Sequence, residues 1–194
     1  MSDKQGFVLS AEESFARRSA LGVIVRRPRN MWLQLIPGMF VYDAYRRSRE
    51  TRLFAQSFLA PRKIAMDAAQ RMVRGETRDA VLGELRERIR DWLIQKRLDS
   101  DAVREKQMAV AILLANHYSR LLAAEGESFP DLVIDAYHDR AGYDEFLNQL
   151  TLLENELDDA VADMGGRAEE VRKHHLLERG VKWELRNKEA DEIF

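Results

Sequence analysis

The sequence predicts an all-α fold, a multi-helix bundle of about six or seven helices with a basic helical arm at its N-terminal side. Three observations lead there. Four prolines and ten glycines in 194 residues leave room for long helices and little for the turn density of a β-sandwich. Apolar residues recur at steps of three and four along most of the chain, with no alternating strand pattern of useful length and no internal repeat. A chain of 194 residues can bury a core without covalent staples, and with no cysteine it has none: a disulfide scaffold, a cysteine zinc site and a thiol nucleophile are excluded.

Ser10-Ala11-Glu12-Glu13 has capping-box spacing, so a first helix is expected from Ser10 to Leu21. Residues 22 to 25 form a short apolar stretch that Arg26-Arg27-Pro28-Arg29 stops, because a residue before proline is pushed out of the helical region. Residues 31 to 36 are apolar and end at Pro37-Gly38; a helix from Met39 to Leu59 is expected to close at Pro61. Residues 62 to 74 continue helically to Gly75, a C-terminal cap position, and Thr77 is a candidate N-cap. Leu82, Leu85, Ile89, Trp92 and Leu93 mark the next helix, which ends near Leu98. Asp99-Ser100 cap another, apolar on nearly all sides from Met108 to Leu122 and therefore the most central. Ser128-Phe129-Pro130 starts a short helix, with proline pre-organised for the first turn. Phe146, Leu150, Leu153, Leu157, Val161 and Met164 then form a narrow stripe that Gly165-Gly166 terminates; Glu145, Glu154, Glu156, Asp158, Asp159 and Asp163 are assigned to the polar faces. A last helix over 168 to 179 leads through Gly180 into a tail. The expected organisation is an arm over 1–76, a bundle core over 77–180 and a tail over 181–194.

The net charge of −2 conceals a separation along the chain. Residues 1–98 hold 20 basic and 11 acidic side chains, and residues 99–194 hold 11 basic and 22 acidic. Either the halves fold onto each other, with arginines at 46–52 meeting carboxylates at 144–163, or the basic half faces an anionic partner.

The residues with binding chemistry cluster in the arm. Arg26, Arg27 and Arg29 precede an apolar stretch holding Trp32, Ile36, Phe40 and Tyr42, and Arg46, Arg47 and Arg49 follow it. Guanidinium groups flanking amphipathic rings suit a surface that is acidic on its face and apolar beneath. The stretch is interrupted by Gln34, Pro37-Gly38 and Asp43 and is shorter than the run of about 20 apolar residues that spans a bilayer. A protein partner is the first expectation, an anionic membrane surface the second, and a homo-oligomer is compatible with both. Nucleic acid ranks last, because the acidic half would compete for every phosphate contact and no zinc-finger, RRM or KH spacing is present.

Candidates for acid–base or metal chemistry are few. His117 shares a stripe with Val110, Leu114 and Leu121, as a core histidine would. Asp135-x-x-His138 lacks the second such turn that a di-iron bundle needs. His174-His175, with Glu170 and Glu178 at one-turn spacing, reads as a solvated face. No Gly-rich phosphate loop is present, and Ser119, two residues from His117 on one helix, points away from it. His117 followed by His138-Asp139 resembles the motif of HD-type phosphohydrolases, all-α metal enzymes whose ligands are a His, a His-Asp pair and a later Asp. The resemblance covers about two dozen residues and implies His117, His138 and Asp139 as metal ligands. The chain departs from that motif before the pair, where Ile134-Asp135-Ala136-Tyr137 is not fully apolar, and it singles out no later Asp.

The reading is therefore a non-enzymatic interaction or assembly protein, without cofactor, docking through its basic aromatic arm on an acidic or amphipathic surface. HD-type phosphohydrolysis and peripheral membrane binding are the alternatives. The first residues show no signal-peptide pattern, and a cytoplasmic location, peripheral to the membrane in the second alternative, is expected.

Overall fold

Helical periodicity is realised over most of the described residues: in a computed structural model about 90% of them are helical, with no strand among them. It describes residues 2–26, 39–164 and 168–194, with side chains described over 3–23, at 49, and over 51–164 and 175–194. Seven helices follow in order among them: α1 Ser2–Arg26, α2 Met39–Val73, α3 Arg78–Lys96, α4 Asp101–Ala123, α5 Phe129–Tyr137, α6 Arg140–Met164 and α7 Ala168–Ile193. No helix among the described residues is long and apolar enough to cross a membrane.

The local signals act where the physics is local. Ser100 accepts from the Val103 amide and Ser128 from the Asp131 amide, both at 3.3 Å, satisfying donors that the first turns of α4 and α5 leave open. Thr77 stands at the N-cap of α3 in extended conformation without a side-chain cap bond. Gly75, at φ +90°, lets the Glu76 amide turn back to the Arg71 carbonyl at 3.1 Å and ends α2.

Other boundaries differ from the local expectation because packing prevails. α1 begins at Ser2, ahead of Ser10, since Val8 is fully buried and Phe7 and Leu9 pack against the core. α2 runs through Pro61, which forfeits one backbone hydrogen bond; the flanking turns are held against α1 through Phe58–Phe15 and Arg62–Glu12, and Arg62 donates to the Phe58 carbonyl one turn earlier. α7 runs through Gly180, so the tail is a bundle helix with Val181, Lys182, Arg186 and Ala190 buried.

α4 is the central helix, packed against α2, α3, α5 and α6 and in contact with α1. Leu85, Ile89, Leu114 and Leu150 are buried in one cluster, and Trp92, Leu153 and Leu157 pack partly buried against it. Val8, Ala65, Met66 and Ala69 belong to that same cluster. The described parts of residues 1–76 thus help to build the core instead of lying outside it.

Candidate functional site

Of the binding residues expected from the sequence, Arg27, Arg29, Trp32 and Ile36 lie outside the described residues. Arg26 is the last residue of α1, and Phe40, Tyr42, Arg46 and Arg47 fall in the first turns of α2, all with side chains outside the described set. Arg49 is described and exposed, as are Arg52 and Leu53 beyond it. α1 and α2 are antiparallel neighbours. Arg62 meets Glu12 at 2.9 Å, Lys63 meets Glu13 at 3.2 Å, and the Phe15 and Phe58 rings lie 5.8 Å apart. Continued along both helices, this register sets Leu21 level with Leu53, each 53% exposed. On its other side α1 meets α7, where Gly22 comes so close that an added Cβ would lie 2.6 Å from Val181 Cγ1.

The expected pairing of the 46–52 arginines with α6 carboxylates is not made by Arg49 or Arg52, neither of which forms an ion pair with a described residue. Other cations occupy α6. Arg62 meets Glu154 at 2.6 Å, Lys106 meets Glu156 at 3.0 Å, and Arg179 meets Asp159 at 2.7 Å.

Glu154 corrects its sequence assignment to a polar face, for it is the buried anion at the middle of the bundle. Tyr143, Leu147, Leu150 and Glu154 follow steps of four, three and four, a signal that puts Glu154 on the inward stripe. Arg186 Nη2 donates to both its oxygens at 3.0 and 2.9 Å, Arg62 Nη2 donates at 2.6 Å, and Lys182 stands 3.7 Å away. Burial opposes ionisation of this carboxyl, but Arg186, Lys182 and Arg62 outweigh it and hold it below the usual carboxylate range. Arg62 is likewise held charged against burial by Glu12 and Glu154, and its guanidinium stacks 3.6 Å over the Phe58 ring. Tyr118 donates to Glu12, and Arg186 Nη1 donates to Thr151 Oγ1 at 3.0 Å. Beside the network lies a cavity of about 40 Å³ edged by Glu12, Arg62, His117, Arg186 and Glu189, which is room for water and not for a metabolite. These charges satisfy one another, so the cluster braces four helices.

His117 is buried 4.0 Å from Phe146 in a nearly parallel stack, with Nδ1 2.7 Å from the Tyr137 hydroxyl. Burial first, then Arg120 and Arg62, push its pKa down to about 3, so the imidazole is neutral. Burial likewise pushes Tyr137 up to about 12. His138 is exposed at φ +66° after α5, and Asp139 accepts from the Gly142 amide at 2.8 Å at the start of α6. No three His, Cys, Asp or Glu side chains among the described residues gather into a group that could hold a metal ion, so His117, His138 and Asp139 are not assembled as the HD-type resemblance implied.

Comparison of the chain with protein-family models, with curated proteins and with solved structures finds no match.

Proposed function

We propose that the protein is a non-enzymatic interaction or assembly protein that docks on an acidic or amphipathic surface through residues 26–49. Arg26, Arg27, Arg29, Arg46, Arg47 and Arg49 supply charge, and Trp32, Ile36, Phe40 and Tyr42 supply apolar contact. One observation carries this reading. Arg49 and Arg52 stand exposed without an ion pair to any described residue, whereas the α6 carboxylates expected to neutralise the basic half are taken by Arg62, Lys106, Arg179, Lys182 and Arg186. A cation unmatched among the described residues can direct its field at a partner.

Affinity capture from the source cell tests it, with the full chain as bait. The wild type is compared with Arg49→Glu/Arg52→Glu and with Trp32→Ala/Phe40→Ala, each first shown to melt like the wild type. The expected result is a component retained by the wild type and lost with both variants. Equal retention by all three baits would overturn the reading.

A further inference from the structure

α4 and α6 lie antiparallel, with Lys106 meeting Glu156 at 3.0 Å and the His117 ring stacked on Phe146 at 4.0 Å. Each helix turns one stripe of i, i+3, i+4, i+7 spacing toward a shared cleft: Leu113, Asn116, His117 and Arg120 on α4, and Gly142, Glu145, Phe146 and Gln149 on α6. With Tyr137 of α5 they line a volume of about 260 Å³, against about 40 Å³ beside the buried ion network. Small-molecule sites begin at about 300 Å³, so the cleft suits a ligand at the small end of that class.

The turn from α5 into α6 shapes one end of the cleft. His138 holds φ +66° and ψ −35°, a costly backbone conformation for a residue with a side chain. The chain returns so tightly there that a Cβ added at Gly142 would lie 3.2 Å from the Tyr137 carbonyl oxygen, and the wall at Gly142 carries no side chain. In the antiparallel register Arg120 is about level with residues 142 and 143, so it faces that open stretch of wall.

Two opposite charges line the cleft, Arg120 on α4 and Glu145 on α6, while His117, neutral at its depth, adds none. Both are exposed, and neither forms an ion pair with the other or with any other described residue. Each is nonetheless tethered. Arg120 hydrogen-bonds to the Tyr137 side chain, with its guanidinium carbon 5.2 Å from the centre of that ring, and Glu145 accepts from Gln149 Nε2 at 3.3 Å. Leu113 and Phe146 give the same cleft an apolar surface.

We infer that this cleft binds a free α-amino acid with an apolar side chain, its carboxylate on Arg120, its ammonium on Glu145 and its side chain against Leu113 and Phe146. An anion alone would meet Arg120 but bring its charge beside Glu145, and a cation alone would meet Glu145 but crowd Arg120. A molecule that carries both charges a few bonds apart satisfies each, and a planar guanidinium takes a carboxylate through two parallel N–H bonds. The site belongs to α4, α5 and α6 and does not depend on the docking reading of residues 26–49.

Isothermal titration calorimetry of the full chain with L-phenylalanine and with L-leucine tests the inference. The controls are 3-phenylpropionate, which lacks the ammonium, and L-phenylalaninamide, which lacks the carboxylate. The expected result is saturable binding of at least one amino acid, with L-phenylalanine bound about tenfold or more tighter than either control if it is the ligand taken. Arg120→Gln and Glu145→Gln, both at exposed positions and expected to melt like the wild type, should each weaken that binding by about tenfold, and Arg86→Gln, an exposed arginine of α3, should leave it unchanged. No saturable binding of either amino acid overturns the inference. Binding that Arg120→Gln or Glu145→Gln leaves unchanged overturns it by placing the ligand elsewhere, and 3-phenylpropionate bound as tightly as the amino acids overturns it by making the cleft a plain carboxylate site.

Discussion

Arg62 Nη2 lies 2.6 Å from Glu154 Oε1 across 92 residues of sequence, joining α2 to α6 in the interior of the bundle. The pair is not isolated: Glu12 of α1 takes the Arg62 Nε at 2.9 Å, and Arg186 of α7 takes both oxygens of Glu154. Four helices from the two ends of the chain thus meet on two side chains. Such a cluster stabilises little compared with an apolar core of the same shape, but it penalises any packing that separates its members.

Removal of one member should therefore be severe. Glu154→Gln leaves Arg62 and Arg186 buried with their charge unmatched and should destabilise by about 3 to 5 kcal/mol in urea unfolding. Adding Arg62→Met to that change should cost much less than the two single effects combined, since each single variant strands the other partner. Additive losses would show that the two residues do not share one network.

Acid should weaken the fold in two steps. The folded pKa of His117 is pushed from 6.5 down to about 3, so below about pH 6.5 the unfolded chain binds a proton that the folded chain refuses. Stability then declines as pH falls, by up to about 1.4 kcal/mol per unit. Glu154, with its folded value depressed, contributes stability that is complete above its unfolded value of about 4.3 and is lost as pH falls through the folded one, which adds a second decline below about pH 4.5. Between pH 6.5 and 5 only the histidine acts of these two. His117→Gln keeps a polar group beside Tyr137 and should flatten the urea midpoint in that window; an unchanged slope would place the acid sensitivity elsewhere.

The α1–α7 crossing depends on Gly22. An alanine there would set its Cβ 2.6 Å from Val181 Cγ1, closer than van der Waals contact, so Val181 must turn or the helices must part. Gly22→Ala should lower stability by about 1 to 3 kcal/mol, and Val181→Ala in the same chain should recover part of it. A melting temperature unchanged by Gly22→Ala would mean that the helices do not approach this closely.

The apolar stripe of α6 has a matched control in its own sequence. Leu150 is 4% exposed and Leu152 is 59% exposed. Leu150→Ala should cost about 2 to 5 kcal/mol, and Leu152→Ala should stay within about 0.5 kcal/mol. Comparable losses at both positions would require Leu152 to be covered by another molecule.

By itself the sequence determined what neighbours within one helical turn decide. The all-α class follows from apolar steps of three and four; Ser100 and Ser128 cap the helices they begin, and Gly75 takes the left-handed turn that ends α2, because each of these is a contest among groups a few residues apart. The placement of His117 in the core was legible in the same way, from its stripe with Val110, Leu114 and Leu121. The sequence also showed the arginines and rings of residues 26–49, yet it could not show that Leu21, Leu53, Leu176 and Trp183 stand exposed on three helices.

Tertiary structure alone decided which local rules gave way. Pro61 breaks a helix in isolation, but α1 holds both sides of it, at Phe58 and at Arg62, and burial of Ala65, Met66 and Ala69 outweighs one lost backbone bond. Gly180 disfavours a helix by about 1 kcal/mol, less than α7 gains by seating Val181, Lys182 and Arg186. Glu154 carries a charge that composition assigns to solvent; only the convergence of Arg62, Lys182 and Arg186, from helices far apart in the chain, supplies the counter-charges without which that carboxylate could not be buried.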